Sequence, residues 1–158
     1  VMKKENKNYL TFLIILFLGL FFIQKTFANA NFVFLSLKNS EVNVRIGPSK
    51  EYPIKFTYKK KHLPLKVLDK SETWRKISDF ENNSGWIHIS QLSKKKTAIN
   101  IKKRSLLYKK STIYSKPIAE LEIGRLVLIK KCKLKWCKVT SGAYNGWIFK
   151  SSLWGKTK

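Results

Sequence analysis

The stretch WRKISDFENNSGWIHISQL, Trp74 to Leu92, returns as WCKVTSGAYNGWIFKSSL, Trp136 to Leu153. Both copies run Trp, any residue, Lys and an aliphatic residue into a polar turn, then Gly-Trp-Ile, and close on a Ser-rich step and Leu. A period of about sixty residues implies two folding units of the same kind. Each copy reads as a β-hairpin. With the turn at Phe80 to Ser84, Ile77 falls opposite Ile87, while Lys76 faces His88 and Ser78 faces Trp86 on the other side, which Trp74 shares. In the second copy Val139 falls opposite Ile148, and Trp136, Lys138, Trp147 and Phe149 take the other side. The aliphatic face is the expected core. The second face is lined by rings and lysines, for which core burial gives no account.

Working outward, Val42, Val44 and Ile46 alternate with Asn43 and Arg45, the period of two of a half-buried strand. Gly47-Pro48-Ser49 ends that strand with turn chemistry. Phe32 to Leu37, Ile54 to Tyr58 and Pro64 to Leu68 are the other expected strands of the first unit. Ser90-Gln91-Leu92 closes it, and Ser93 to Thr97 is the expected linker. The second unit repeats the order with Leu106 to Tyr108, Ile118 to Leu121, Leu126 to Ile129, the Trp136 hairpin and Leu153-Trp154-Gly155. No segment after residue 30 keeps a 3.6-residue period. Short strands at this spacing point to an all-β fold, and units this small fit two partly open barrels better than sandwiches.

The first thirty residues read as a targeting segment. Lys3, Lys4 and Lys7 precede an apolar run from Tyr9 to Ile23, short of the roughly 20 residues that span a bilayer. Ala28-Asn29-Ala30 supplies the small residues of a cleavage site, with an uncleaved anchor as the alternative. The expected organisation is a signal segment at 1–30, a first domain at 31–96 and a second at 97–158, in an exported protein of the periplasm or cell envelope. In that setting Cys132 and Cys137, the two cysteines of the chain, are expected to form a disulfide. The strands Leu126 to Cys132 and Trp136 to Val139 place them opposite each other, where so short a loop contributes about 2 kcal/mol. Lys70 and Arg75 hold the matching places in the first unit.

The chain has 33 Lys and Arg against 9 Asp and Glu, a formal charge of +24. Such a charge draws polyanions or an anionic membrane surface. Only Arg45, Arg75, Arg104 and Arg125 are arginines, however, so the basic residues are nearly all lysines, which lack the planar fork that reads phosphate bidentately. A compositional lysine bias accounts for this as well as a ligand does.

The residues resemble the bacterial SH3-like (SH3b) family in its exported two-repeat form. The resemblance rests on Val42-Asn43-Val44-Arg45, Gly47-Pro48-Ser49, Tyr52-Pro53, Pro64 to Val67, Trp74-Arg75-Lys76-Ile77 and Gly85-Trp86-Ile87 in the first unit. In the second it rests on Leu121 to Gly124, Cys132, Trp136-Cys137-Lys138-Val139, Gly146-Trp147-Ile148 and Leu153-Trp154-Gly155. It implies a small SH3-like barrel per repeat and a non-catalytic module that binds peptides or cell-wall material. The first strand of repeat two departs from the pattern, with Leu107-Tyr108-Lys109-Lys110 in place of the Asn-Val-Arg motif.

Catalysis would need a nucleophile with a base, paired carboxylates or a metal cluster. His62 and His88 are the only histidines, both read as rim residues, and Asp69, Glu72, Asp79 and Glu81 are scattered over turns. No enzyme, metal or cofactor is expected. Single-stranded nucleic acid would suit lysines among rings, but export argues against it as a native partner. The expected function is an envelope binding or scaffolding module for peptidoglycan stem peptides or an envelope protein. Membrane contact is expected only through an uncleaved signal segment. The expected contact residues are Arg45, Tyr52, Tyr58, Trp74, Trp86 and His88 in repeat one, with Tyr108, Trp136 and Trp147 in repeat two. The alternative is a basic adaptor for anionic glycans or lipid headgroups. The same tryptophans could instead cover a barrel mouth or dock the two units together.

Overall fold

The computed structural model describes residues 32–157. The expected signal segment, with its apolar run and cleavage site, lies outside the described residues. Among the described residues fourteen strands form two separate antiparallel sheets. Repeat one contains β1 (Phe34–Leu37), β2 (Val42–Arg45), β3 (Ile54–Tyr58), β4 (Pro64–Ser71), β5 (Trp74–Ser78), β6 (Ser84–His88) and β7 (Leu92–Ser93). Repeat two contains β8 (Thr97–Asn100), β9 (Ser105–Tyr108), β10 (Pro117–Leu121), β11 (Leu126–Lys133), β12 (Trp136–Ser141), β13 (Tyr144–Phe149) and β14 (Leu153–Gly155). The sheet orders are β3-β2-β6-β5-β4-β1-β7 and β10-β9-β13-β12-β11-β8-β14, the same order strand for strand. The expected all-β fold of two tandem small SH3-like barrels is the fold observed. A 3-10 turn, Ile89–Gln91 or Lys150–Ser152, precedes the last strand of each sheet.

Each sheet rolls around its own core. In repeat one Leu37, Val44, Leu65, Ile77 and Ile87 are fully buried together. In repeat two Leu107, Val127, Cys137, Val139 and Ile148 play that part. The glycine of each Gly-Trp-Ile step is needed for closure. A Cβ on Gly85 would stand 2.8 Å from the Arg45 carbonyl oxygen, and one on Gly146 would stand 2.7 Å from that of Tyr108. Only a bare backbone lets the hairpin approach β2 or β9 so closely.

Both hairpins have the expected faces but not the expected register. The observed partners are Ile77↔Gly85, Arg75↔Ile87, Lys76↔Trp86 and Trp74↔His88. In repeat two they are Val139↔Gly146, Cys137↔Ile148, Lys138↔Trp147 and Trp136↔Phe149. Both expected registers are off by two residues, because both turns are tighter than supposed. In repeat one the buried Asp79 carboxylate accepts from the Glu81 and Asn83 backbone N–H groups at 3.0 and 2.8 Å, drawing the strands together early. In repeat two Gly142, at φ 58, supplies the positive φ of a two-residue loop. A slip of two restores every side chain to its original face, and a slip of one would have reversed them all.

Two further differences concern the join between the repeats. The expected linker Ser93 to Thr97 shrinks to Lys94 to Lys96, because Thr97–Asn100 is a strand that the alternation pattern does not reveal. All four of its residues are buried. Ala98 faces the second core, and Ile99 enters the first. A strand buried on both faces has no polar alternation to read. On its neighbours, Leu126 packs against the first core, and Trp154 meets Phe34 edge-on at 5.0 Å and Phe80 at 6.5 Å. The barrels therefore pack through a continuous apolar contact, and Trp154 is the tryptophan that docks them. Asn100, fully buried, fixes the end of β8: its amide nitrogen lies 2.8–2.9 Å from the Lys102, Leu121 and Glu122 carbonyls, and Ser105 Oγ donates to its oxygen at 2.8 Å.

Candidate binding face of the Trp hairpins

The outer face of each hairpin is extended by the second strand of its barrel. Arg45 on β2 is the register partner of Trp86, and Tyr108 on β9 is the partner of Trp147. Arg45, Trp74 and His88 in repeat one thus occupy the places of Tyr108, Trp136 and Phe149 in repeat two. The substitutions change what the face is. In repeat two Trp136 stacks on Phe149 with centroids 4.1 Å apart, and Tyr108 meets Trp136 edge-on at 5.5 Å. Three rings fill the site with one another.

In repeat one the same place is a cleft of about 310 Å³. Trp74 forms one wall, edge-on to His88 at 5.3 Å. Arg45, Lys50, Glu41 and Gln91 bring both signs of charge and an amide to its rim. Three of these side chains have a local reason for their place. One Arg45 nitrogen donates to the Tyr52 carbonyl at 2.6 Å, which anchors the guanidinium beside the cleft. His88 Nδ1 lies 2.8 Å from Ser90 Oγ and caps the 3-10 turn, fixing the ring against Trp74. Asn39 donates to Gln91 Oε1 at 2.6 Å.

The nine expected contact residues therefore divide. Arg45, Trp74 and His88 meet at the cleft. Trp86 lies beside it as the partner of Arg45 and Lys76. Tyr52 borders it through its carbonyl, while its ring covers Gly47. Tyr58 is elsewhere: it packs against the first core, and its hydroxyl donates to Asp79 Oδ2 at 3.0 Å. Burial foremost, then the charge and hydrogen bond of Asp79, hold that phenol above the ordinary tyrosine range. Tyr108 and Trp136 are in the stack. Trp147 lies beneath two ammonium groups, Lys133 Nζ at 5.2 Å and Lys131 Nζ at 5.9 Å from its ring centre. Glu41, Lys50 and Gln91 were not anticipated: the first two reach the cleft from the segments before and after β2, and Gln91 reaches it from the 3-10 turn. The signal for the division was present in Tyr108, the departure from the Asn-Val-Arg motif.

Other reactive groups are placed away from this face. Cys132 and Cys137 form a disulfide as ladder partners, as expected, so neither is a free thiol. Lys70 and Arg75 are paired at the matching position of repeat one. His62 Nδ1 is buried without a partner, and Nε2 lies 3.2 Å from Lys95 Nζ. Burial, then the charges of Lys95 and Lys61, pull its imidazole below the usual histidine range. Among the described residues no group of three or more His, Cys, Asp or Glu could hold a metal ion. No helix there is long and apolar enough to cross a membrane.

Comparison with known proteins adds three findings. No curated protein matches the sequence. Solved structures similar to the chain include NlpC2 from Trichomonas vaginalis, 12% identical with a TM-score of 0.37, covering 82% of this chain and 50% of that one. An NlpC/P60 family protein from Bacillus cereus ATCC 10987 is 12% identical with a TM-score of 0.35, covering 77% of this chain and 56% of that one. The chain thus spans about half the length of these structures. The sequence model of the bacterial SH3 domain matches twice, over residues 38–94 and 102–155. The two matches fall one on each sheet, on hairpins whose strand order is shared residue block for residue block, and the chain belongs to the bacterial SH3 domain family, with the domain present in two copies.

Proposed function

We propose that this protein is a non-catalytic module of the cell envelope that binds peptides of the wall through repeat one. The observation that carries the reading is the difference between the two outer faces. One holds a cleft beside Trp74, and in the other Trp136 packs against two neighbouring rings. A peptidoglycan stem peptide offers free carboxylates, an ammonium group and short aliphatic side chains. Arg45 and Lys50 suit the carboxylates, Glu41 suits the ammonium, and the flat Trp74 ring suits the aliphatic part. Repeat two then serves as a docked support held through Trp154. The disulfide fits the oxidising compartment that such a role requires.

Retention on purified sacculi at low and physiological salt tests the proposal, with W74A and R45A beside the wild type. The cleft predicts that wild-type retention survives the salt change and falls at least tenfold in W74A. A basic adaptor for anionic glycans would lose most of its affinity with salt instead. No wild-type retention in either buffer excludes sacculus binding.

A further inference from the structure

The tip that joins β11 to β12 differs in kind from its counterpart in repeat one. Ladder pairs Lys70↔Arg75 and Cys132↔Cys137 align Glu72 with Leu134. Both residues sit in the left-handed region, at φ 44 and 49. Glu72 is a polar residue in a solvated turn. Leu134 is 93% exposed in a conformation that a bulky residue adopts at a cost, where Asn or Gly would serve better. Neither burial nor backbone preference explains a leucine there.

The surroundings of the tip supply the missing term. Lys133 and Lys135 flank Leu134 in sequence. Beneath it is a cleft of about 200 Å³ to which Lys96, Lys131, Lys133, Lys150 and Lys156 come from separate segments, and no carboxylate lines it. The clefts beside Trp74 and beside Gly124 each include a glutamate, Glu41 and Glu122. This one is purely cationic with an apolar point. The disulfide joins the two strands just below the tip, holding its shape. Trp147 steadies Lys131 and Lys133 along the hairpin.

We propose that this tip is a contact point for an anionic phospholipid bilayer, with Leu134 entering the boundary between headgroups and acyl chains and the surrounding lysines meeting lipid phosphates. A dissolved polyanion would use the lysines but gain nothing from an exposed leucine. A bilayer uses both, since lysine stems reach along an apolar surface while their charges stay at headgroup level. Each lysine near such a surface strengthens binding about fivefold. The contact is independent of the repeat-one cleft.

The test reads position 134 alone, so that attachment through the apolar run Tyr9 to Ile23 does not produce the signal. The full chain carrying L134W is mixed with vesicles of phosphatidylglycerol and phosphatidylcholine, or of phosphatidylcholine only. Emission from the added indole is taken as the difference from the wild type. On the anionic vesicles it should lose at least half of its quenching by acrylamide and become quenched by brominated acyl chains. Both changes should be absent on phosphatidylcholine and in L134W/K131E/K133E. An indole as open to acrylamide on anionic vesicles as in buffer would overturn the proposal, as would protection retained in the charge-reversed variant. Equal protection by soluble polyglycerol phosphate at matched ionic strength would assign the lysines to a dissolved polyanion and overturn the bilayer.

Discussion

The Trp74 face and the Trp136 face are built on the same strands in the same order, and they end in opposite states. Arg45 and His88 leave Trp74 lining a cleft, whereas Tyr108 and Phe149 pack their rings against Trp136. The lesson is that a repeated hairpin fixes where a site can form, while the residues facing the indole decide whether it does. A tryptophan packed against two rings in one copy and lining a cleft in the other lets one sequence pattern support both readings of its rings.

The largest expected effect comes from removing the stacked indole. W136A should lower stability by about 3 kcal/mol, as for other large aromatic truncations, while leaving sacculus retention unchanged. W74A, whose ring has one aromatic neighbour where Trp136 has two, should cost about half as much and lower retention at least tenfold. Urea midpoints and pull-downs on the same two variants check this, and equal losses of stability would erase the distinction.

The two turns that set the registers can be compared in the same way. D79A removes the acceptor of two backbone N–H groups, the Asn83 amide and the Tyr58 hydroxyl, and should cost about 2–3 kcal/mol. G142A forces a Cβ into a left-handed position and should cost about 1 kcal/mol. Denaturant melts of the two variants would show whether the side-chain-held turn is the more demanding device. Reducing the disulfide should destabilise by about 2 kcal/mol, and R75C paired with K70C should return a similar gain to repeat one.

The smallest effect expected is a pH dependence at His62. Its folded imidazole titrates below the unfolded value, so the unfolded chain binds the proton first. Stability is whole above about pH 6.5 and declines as pH falls through that value, until the folded form also protonates. H62N, a residue suited to the left-handed φ of 67, should flatten the decline between pH 7 and 5.5 in thermal melts. Identical slopes would place the titration elsewhere.

Much of this architecture was legible in the sequence because it is local. Hairpin faces follow from a period of two, which survives a two-residue error in register. The cysteine pairing follows from the same ladder. What escaped is non-local or lacks alternation. Thr97 to Asn100 shows no polar face because it is wrapped by both barrels. Trp154 looks like the tail of a closing strand, yet with Ile99 and Leu126 it joins the repeats. The partners that open or close the hairpin faces come from β2, β9 and distant loops, and no spacing along the chain announces them. Tyr58, expected among the contact residues, packs on the first core away from the cleft, and its partner Asp79 comes beside it only once the hairpin is folded.

The claim that repeat one alone offers a binding face is tested most directly by following the five tryptophan indole N–H signals by NMR during titration with a soluble stem-peptide fragment. The account predicts that Trp74 and Trp86 shift together while Trp136, Trp147 and Trp154 stay in place. Shifts at Trp136 or Trp147, or movement of none of the five at millimolar peptide, would contradict it.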